Sequence, residues 1–346
     1  MQIQKNIINN KLKIIISVGD ESGIGPEVIL KALYSKEIPK DIDIIIIGSK
    51  KNLQNTYLQL KSLGIRDIVD PNNYEIYELK EDFEIDNERV NYGNLSFHYL
   101  KKAIDLVKQT PNSALVTGPI CKKSWSLAGH NFSGQTEVLA ESCNVKNVGM
   151  LFTAKSPHTG WRFNTLLATT HIALSEVPKQ LNINLIHSKL DLFSKFCCNY
   201  VENPSLKVAG LNPHAGEEGI LGTEEKGWLN EAITSWKKEN QKIKVDGPIS
   251  PDSCWSSSAK AWREKQEENH DGILAMYHDQ GLIPMKVIAL NYSVNTTIGL
   301  PFIRTSPDHG TGFDIAGKGL AQSQSMIEAI KTAIDLTKNS RLFNTH

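Results

Sequence analysis

The segment Asp271-Gly-Ile-Leu-Ala-Met-Tyr-His-Asp-Gln-Gly-Leu-Ile-Pro-Met-Lys286 decides the fold of this chain. Its apolar run, Ile273 to Tyr277, predicts a buried strand that stops abruptly at the polar residues 278–280. Gly281 then frees the backbone, and Pro284 disfavours a helix after the strand. Ligands of open α/β sheets bind at the carboxyl ends of strands, so His278 is expected at a functional edge.

Two more histidines follow apolar runs in the same way. Leu166 to Thr170 ends at His171, and Leu206 to Leu211 leads through a rigid turn to His214. A single histidine is more often structural than a ligand, but three at predicted strand ends favour convergence on one metal ion. Neutral imidazole suits divalent ions such as Zn²⁺, and three protein ligands leave a position open for substrate. The residues alone therefore predict a metal-assisted α/β enzyme acting on an anionic small molecule.

Length and composition limit the class of protein. The 346 residues suggest two domains of ordinary size, and 40% are hydrophobic, which is enough for a globular enzyme. Basic and acidic residues number 38 each, so no charge bias favours nucleic acid or an anionic membrane. The five cysteines contain no Cys-x-x-Cys pair, and the polar first eleven residues lack the apolar core of a signal peptide. We therefore expect a cytoplasmic protein without a membrane span.

Strands and helices alternate along the chain, which predicts an α/β protein with a parallel sheet. Leu12 to Val18 predicts the first strand, and Gly23 and Gly25 permit a tight turn into a helix that begins near Pro26. This turn resembles a phosphate-binding loop but lacks the Rossmann spacing, which leaves open both a nucleotide site and a plain turn. Residues 66–92 are polar and irregular, so we expect a surface connection there.

Two further segments offer sites for an anion. Gln135 and Thr136 precede an apolar helix, so Thr136 either caps that helix or lies where its free N–H groups hold a phosphate. The loop from His309 to Gly319 contains four glycines, which allow the backbone to approach a ligand closely.

Seven distinct sequence motifs follow one another along the chain. They are Gly19-Asp-Glu-Ser-Gly-Ile-Gly-Pro-Glu27, Thr117-Gly-Pro-Ile120, Gly134-Gln-Thr-Glu137, Thr169-Thr-His171, Gly210-Leu-Asn-Pro-His-Ala-Gly-Glu217, Ala275-Met-Tyr-His-Asp-Gln-Gly281 and Gly299-Leu-Pro-Phe-Ile-Arg-Thr-Ser306. In this order the chain resembles the 4-hydroxythreonine-4-phosphate dehydrogenase family of vitamin B6 biosynthesis, over nearly its whole length after the leader.

The resemblance implies an isocitrate/isopropylmalate dehydrogenase-like fold, in which two α/β/α domains flank a cleft. We expect residues 1–129 and 270–346 to form the first domain, and residues 130–269 to form the second, which carries the dimer contact. It further implies a homodimer whose metal site is shared between subunits, the third ligand coming from the partner. The metal is a divalent ion (zinc, magnesium, cobalt or manganese), and the implied ligands are His171, His214 and His278.

The implied reaction is oxidation of the C3 hydroxyl of 4-phosphooxy-L-threonine by NAD or NADP. The product is a β-keto acid that loses CO₂ to give 3-amino-2-oxopropyl phosphate. By the resemblance, the substrate-binding positions are Gln135, Thr136, Lys286, Asn295 and Arg304. Lys286 is the first candidate for proton transfer, and Asp252 is a second catalytic candidate. The expected dinucleotide-binding residues are His309, Gly310 and Asp314.

Two positions depart from the family, and they keep alternatives open. Gln135 stands where the family often has histidine, and glutamine cannot carry a positive charge toward a phosphate. A paralogous dehydrogenase of D-threonate or D-erythronate 4-phosphate is therefore an alternative. Glu21 stands where proline is common, with little chemical effect expected. A phosphate acyltransferase of related fold would not need the histidine set, and a non-catalytic nucleotide-binding module would leave Lys286 and Arg304 without a task.

Overall fold

The computed structural model describes residues 11–79, 87–266 and 269–340, so most of the polar leader lies outside the described residues. The chain divides into two compact units. The first extends to Val138 and adds Pro301–Arg304 and His309–Lys338, and the second contains Leu139–Leu300 and Thr305–Asp308. The division expected at residues 129 and 270 is kept as a proposal for the folding domains.

The strands follow the predicted apolar runs closely. Among the described residues they are β1 (Lys13–Ser17), β2 (Asp43–Ile47), β3 (Glu75–Tyr77), β4 (Ser113–Thr117), β5 (Gly149–Lys155), β6 (Arg162–Leu167), β7 (Ser205–Ala209), β8 (Lys244–Ile249), β9 (Gly272–Ala275), β10 (Val294–Ile298) and β11 (Ile303–Ser306). The short strand β3 and a helix that begins at Glu88 correct the expectation of an irregular connection over residues 66–92, of which residues 80–86 lie outside the described residues. A strand of three residues is too short to show a period-2 pattern.

The helices alternate with these strands. In the described residues they are α1 (Gly25–Tyr34), α2 (Lys50–Ser62), α3 (Glu88–Gln109), α4 (Lys122–Leu127), α5 (Gln135–Ser142), α6 (Val177–Gln180), α7 (Ile183–Cys198), α8 (Asn230–Glu239), α9 (Pro251–Cys254), α10 (Ser256–Arg263), α11 (His278–Ala289) and α12 (Gln324–Asn339). Helix α11 corrects the expectation that Pro284 would limit a helix there, because the helix extends five residues beyond the proline. The proline removes only one intrahelical hydrogen bond, to the carbonyl of Gln280, and the helix continues past it.

The first unit has a fully parallel arrangement of strands in the order β3-β2-β1-β4. Ile14, Ile15 and Ile16 of β1 are completely buried. Because successive side chains of a strand point to opposite faces, both faces of this sheet are covered, as a parallel sheet requires. Its strand ends are therefore the places where polar side chains can reach a ligand.

The second unit has the strand order β10-β5-β6-β9-β7-β8. The pairs β10–β5 and β5–β6 are antiparallel, and the pairs from β6 to β8 are parallel. This mixture corrects the expectation of a wholly parallel sheet. The turn between β5 and β6 is too short to carry the crossover that a parallel pair needs.

An apolar core fixes the parallel part of the second unit. Phe163 of β6, Ile273 of β9 and Met285 of α11 belong to one buried cluster with Trp262 of α10. Because β6, β9 and β7 are neighbours and parallel, their carboxyl ends lie along one edge. Across the described ranges, no helix is both long and apolar enough to cross a membrane.

Candidate active site

The three predicted histidines follow three neighbouring parallel strands of the second unit. His171 comes after β6, His278 begins α11 after β9, and His214 lies in the turn after β7. The ring centroids of His171 and His278 are 5.3 Å apart. No group of three histidine, cysteine or acidic side chains that could hold a metal occurs among the described residues of this single chain. The structure thus pairs His171 with His278, and His214 is not grouped with them.

The environment of His278 fits a metal ligand. Its Nδ1 lies 2.8 Å from Oδ1 of Asp279. A carboxylate that accepts a hydrogen bond from one ring N–H fixes the tautomer and leaves the other nitrogen with a lone pair for a metal ion. With His171 beside it, His278 offers two imidazole donors of the kind that divalent ions such as zinc prefer.

The turn that carries His214 has an unusual backbone. His214 and the four residues after it all have positive φ, from 44° at Glu217 to 79° at Gly216. Side chains with a Cβ rarely adopt this left-handed conformation, so the surrounding structure must hold it in place. Such backbone is found preferentially at functional sites, in agreement with a role for this turn.

Glu225 holds the approach to this turn. Its carboxylate is 3% exposed and accepts the backbone N–H groups of Leu211 and Asn212, each at 2.7 Å. It also accepts the side-chain amide of Asn212 at 3.0 Å. A buried carboxylate with these donors positions the backbone just before His214. The sequence did not reveal this role, because Glu225 lies in a polar stretch where a surface position is the ordinary interpretation.

Gln280 and Thr169 join the three strand ends. The buried Gln280 accepts the backbone N–H of Met276 at 2.6 Å and donates to the carbonyl of Gly210 at 2.7 Å. The hydroxyl of Thr169 donates to the carbonyl of Met276 at 2.8 Å. These contacts tie the end of β9 to the turn after β7 and to the end of β6. Gln280 was part of the predicted His-Asp-Gln cluster, but its bridging role was not predicted.

Arg304 forms a buried cationic group in the first unit. It is 3% exposed, and its Nη2 donates to Thr117 Oγ1 at 2.6 Å and to Gln135 Oε1 at 3.4 Å. Gln135 Nε2 donates to the carbonyl of Gly118 at 3.0 Å, and Thr136 follows in the first turn of α5. The structure therefore places Gln135, Thr136 and Arg304 together. Thr117 belongs to a quoted motif, but sequence reasoning did not assign it to the site.

Burial lowers the pKa of Arg304 to about 10, which still leaves the guanidinium charged at neutral pH. Gly118 allows the tight packing next to it. A Cβ at Gly118 would lie 2.1 Å from the carbonyl oxygen of Val18. This distance is too short for any residue other than glycine. The arrangement suits a phosphate or carboxylate, because a buried guanidinium has strong, directed donors.

The other predicted catalytic and substrate residues lie in the second unit. Lys286 Nζ is 2.8 Å from Asp308 Oδ2, with 43% and 26% of these side chains exposed. Asp252 is exposed, and the pKa of its carboxyl is lowered first by the Ser250 hydroxyl that donates to it and also by His214 nearby. Asn295 is a partly buried residue of β10. The structure therefore pairs Lys286 with a carboxylate and brings Asp252 close to His214.

The predicted dinucleotide residues lie on one loop of the first unit. His309 Nδ1 is 3.0 Å from the carbonyl oxygen of Gly310, and Asp314 is exposed. A Cβ built at Gly310 would have no described atom within 4 Å, so the loop leaves open space there. An exposed carboxylate on a glycine-rich loop suits contact with ribose hydroxyls, as in dinucleotide sites.

Glu21 has an electrostatic effect that the sequence did not predict. The side chain is 7% exposed, and its Oε1 accepts the backbone N–H of Ser49 at 2.6 Å. Burial raises the pKa of this carboxyl to about 7, against smaller opposing effects of the Ser49 and Tyr99 hydrogen bonds. The glutamate that replaces the family's usual proline is therefore a group that titrates near neutral pH.

Comparisons with known proteins agree with the predicted resemblance. The family profile described as "Pyridoxal phosphate biosynthetic protein PdxA" matches residues 40–333. A 4-hydroxythreonine-4-phosphate dehydrogenase from Synechococcus sp. (strain RCC307) is 47% identical over 328 residues, which are 94% of this chain and 99% of that protein. A protein of Oceanobacillus iheyensis, named provisionally as a D-threonate 4-phosphate dehydrogenase, is 35% identical and covers 93% of this chain and 96% of its own length.

A solved structure shows the same fold. The crystal structure of 4-hydroxythreonine-4-phosphate dehydrogenase from Klebsiella pneumoniae matches with a TM-score of 0.76 at 28% identity, over 94% of this chain and 100% of that chain. The predicted α/β fold and the predicted family are both confirmed. Because the likeness in sequence and in fold extends over nearly its whole length, the chain belongs to the PdxA family of pyridoxal phosphate biosynthetic proteins.

Proposed function

We propose that this protein is a 4-hydroxythreonine-4-phosphate dehydrogenase that oxidises 4-phosphooxy-L-threonine with NAD or NADP and a divalent metal ion. The observation that carries the proposal is the pair of imidazoles, His171 and His278, with ring centroids 5.3 Å apart at neighbouring strand ends. The third histidine, His214, follows the next strand of the same edge. The substrate is proposed from the names of the relatives, and the metal ion is proposed from the three histidine imidazoles.

The metal site belongs to the histidines. His171, His214 and His278 hold the divalent ion, with one of the three donated by the partner subunit, and Asp279 keeps His278 in the binding tautomer. When bound, the ion supplies Lewis-acid polarisation of the C3 hydroxyl and the dinucleotide supplies the hydride acceptor. The β-keto acid product then loses CO₂ to give 3-amino-2-oxopropyl phosphate.

The substrate phosphate belongs to the group around Arg304. The buried guanidinium carries the charge, and Thr117 and Gln135 fix its plane through the two hydrogen bonds from Nη2. Thr136 adds a hydroxyl in the first turn of α5, where helix N–H groups also favour an anion. A neutral Gln135 leaves Arg304 as the charge that binds the phosphate in this group.

Proton transfer belongs to Lys286 and its neighbour. Lys286 Nζ lies 2.8 Å from the carboxylate of Asp308. As the neutral amine, Lys286 would accept the proton of the substrate hydroxyl, and the Asp308 carboxylate would stabilise the ammonium that forms. Asn295 contributes a polar contact to the same substrate. The loop residues His309, Gly310 and Asp314 bind the adenosine side of the dinucleotide.

The protein acts as a homodimer in the cytoplasm. Ile283 and Val287 of α11 and Leu290, the residue just after it, are 62%, 80% and 68% exposed, and their spacing places them on one side of the helix and its end. A row of exposed apolar side chains on the helix that begins at His278 supports a subunit contact beside the metal site. The five cysteines are free, as expected for a reducing compartment.

A kinetic assay tests the proposed reaction directly. The purified protein is given 4-phosphooxy-L-threonine, NAD or NADP, and a panel of zinc, magnesium, cobalt and manganese, and NADH or NADPH formation is followed. We expect turnover that a chelator abolishes and a divalent ion restores. Turnover that persists after complete metal removal would reject the metal role, and no reduced dinucleotide with any metal would reject the dehydrogenase.

One alternative has an observation in its favour. Gln135 replaces the family's common histidine, and a relative named for D-threonate 4-phosphate covers almost the whole chain. The same assay with D-threonate 4-phosphate and D-erythronate 4-phosphate separates the two functions. A higher kcat/KM on either acid than on 4-phosphooxy-L-threonine would transfer the assignment to the alternative.

Mixing two inactive variants tests the shared metal site. His214→Ala and His278→Ala proteins are each expected to be inactive while keeping the fold. After equal mixing and subunit exchange, a symmetric dimer whose sites take His214 and His278 from different subunits regains about a quarter of the wild-type activity, because half of the dimers are mixed and each has one intact site. A site built within one chain regains none.

A further inference from the structure

Helix α1 carries a buried ion pair that no proposed reaction step uses. Lys31 Nζ lies 2.8 Å from Glu27 Oε1, and the two side chains are only 14% and 1% exposed. Burying two charges is unfavourable unless further hydrogen bonds satisfy them. The partners of this pair therefore indicate what it does.

Those partners are the backbone C=O and N–H groups of Gly319 and Ala321. Lys31 Nζ donates to the carbonyl oxygens of Gly319 at 2.9 Å and Ala321 at 2.8 Å. Glu27 accepts the backbone N–H of Gly319 at 3.3 Å and that of Ala321 at 2.9 Å. The N–H and C=O groups of Gly319 and Ala321 are thus all bound by one pair of opposite charges, nearly 300 positions away in the sequence.

The same helix also holds the beginning of this loop. The backbone N–H of Ile24, just before α1, donates to the carbonyl of Thr311 at 2.8 Å. A Cβ at Gly23 would lie 2.5 Å from that carbonyl oxygen, so the contact depends on glycine. Residue 311 lies near the start of the glycine-rich loop, and residues 319–321 lie at its end. Helix α1 and the residue just before it therefore hold both parts of the loop.

A loop with this composition needs such support. Gly312, Gly317 and Gly319 all have positive φ, of 51°, 69° and 74°. Glycine loses much conformational freedom when it is ordered, so a glycine-rich loop is ordered only where other groups hold it. The loop contains His309, Gly310 and Asp314, which the proposed function assigns to the dinucleotide.

We propose that Glu27 and Lys31 are positioning residues for dinucleotide binding, acting through the backbone of Gly319 and Ala321. The inference rests on the proposed function, because it takes this loop as the dinucleotide site. Neither side chain touches the dinucleotide; their four backbone hydrogen bonds preorganise the loop, so that less ordering remains to be done on binding. Breaking the pair should weaken dinucleotide binding and leave the metal and phosphate groups unaffected.

The test uses the full-length protein and three variants. Glu27→Gln and Lys31→Met each break the pair, and the double variant removes both charges so that no unpaired charge stays buried. Lys331→Met is the matched control, since Lys331 also pairs with a buried glutamate, Glu328, at 2.8 Å in the same unit. Two properties are measured: hydrogen–deuterium exchange of the peptide spanning residues 316–322, and the Kd of NAD by calorimetry.

We expect faster exchange in this peptide and an NAD Kd raised about tenfold in all three variants, because each loses hydrogen bonds to a charged group. The KM for NAD should rise in parallel, with the KM for the phosphorylated substrate unchanged. Lys331→Met should match the wild type in every measurement.

Several results would overturn the inference. Faster exchange with wild-type NAD affinity would mean that the loop does not bind the dinucleotide, and unchanged exchange would mean that the pair does not hold the loop. Failure of all three variants to fold would make the pair a general requirement of the first unit. Wild-type protein that turns over substrate without binding NAD or NADP would reject the proposed function first, and this inference with it.

Discussion

Two buried charged residues of the first unit respond to burial in opposite directions. Desolvation disfavours the charged form of each, so it lowers the pKa of Arg304 to about 10 and raises that of Glu21 to about 7. Arg304 therefore keeps its charge at neutral pH, whereas Glu21 changes its charge there. The first fits a permanent anion-binding group, and the second makes stability depend on pH.

Replacing Arg304 by alanine should weaken substrate binding. The guanidinium is proposed to bind the substrate phosphate, and hydrogen bonds between charged groups contribute about 1.5–3 kcal/mol, so the KM should rise about 10- to 100-fold. Steady-state kinetics checks this, with Lys51→Ala, an exposed lysine in the first turn of α2, as the control. An unchanged KM would remove Arg304 from the phosphate site.

Glu21→Gln should remove a pH dependence of stability. A carboxyl whose pKa is raised from 4.5 to about 7 on folding stabilises the protein below pH 4.5, and this contribution is lost as the pH rises through 7. At pH 8 the loss amounts to about 3 kcal/mol, so the variant should gain stability over the wild type between pH 4.5 and pH 8 by up to that amount.

Urea unfolding of Glu21→Gln and wild type at these two pH values measures the effect. Glu202→Gln, at an exposed glutamate, serves as the control because burial is the cause of the shift at Glu21. A difference between Glu21→Gln and wild type that stays constant with pH would contradict the raised pKa.

At the scale of elements, the turn after β7 depends on the segment just before α8. Glu225 accepts two backbone N–H groups and the amide of Asn212, immediately before His214. These contacts fix the backbone that presents the histidine, while the histidine itself would make the bond to the metal. Groups of this kind tune metal affinity without touching the ion.

Glu225→Gln should therefore weaken metal binding. The amide keeps the size of the side chain but replaces one acceptor oxygen by a donor, which faces backbone N–H groups or the Asn212 amide. Loss of such an outer contact typically lowers metal affinity about 10- to 100-fold. Competition with a chromophoric chelator measures the zinc Kd, and Glu231→Gln on the exposed side of α8 is the control. A wild-type Kd would show that His214 is positioned independently of Glu225.

The sequence predicted those parts of the fold in which a local apolar pattern is enough to determine the secondary structure. Apolar runs predicted β1, β6, β7 and β9 to within a few residues, and the polar ends of the last three predicted the edge that carries the histidines. The helix through Pro284 and the antiparallel pairing of β5 were not predicted in that form. Both are decided by packing in the second unit, where Met285 and Phe152 join one core, and no local pattern encodes that contact.

In the candidate site, the same distinction separates residues that the sequence predicted from contacts that it did not predict. Residue type and position at strand ends singled out His171, His214 and His278, and the family resemblance singled out Arg304. The supporting contacts were not predictable, because Gln280 reaches Gly210 across 70 positions and Arg304 reaches Thr117 across 187. Hydrogen bonds between distant residues follow from the assembled fold and have no spacing by which a sequence reveals them.

At the scale of the whole molecule, the exposed face of α11 bears on assembly. Ile283, Val287 and Leu290 leave large apolar surfaces in the single chain, on and just after the helix whose first residue is a proposed metal ligand. If this face contacts a second subunit, subunit association and completion of the metal site are linked. Dilution should then reduce activity together with dimer content.

Val287→Glu should weaken the dimer. The side chain is 80% exposed in the single chain, so the substitution leaves the fold intact, but it would bury an unpaired carboxylate in the contact. The dimer Kd should rise at least about tenfold, since an unsatisfied buried charge costs more than about 1.4 kcal/mol. Sedimentation velocity over a concentration series measures this, with Leu58→Glu on α2, where Leu58 is 56% exposed, as the control. Equal dissociation of wild type and Val287→Glu would exclude this face.

The left-handed backbone after β7 also restricts which substitutions selection can accept. Four of its residues, His214, Ala215, Glu217 and Glu218, have a Cβ, and this conformation costs such residues about 1–2 kcal/mol each. Saturation mutagenesis of Ala215 with a genetic screen should recover glycine, asparagine and aspartate and exclude valine, isoleucine and threonine. In natural variants of this protein, the backbone conformation at the tip of this turn should therefore restrict the accepted residues to a few types.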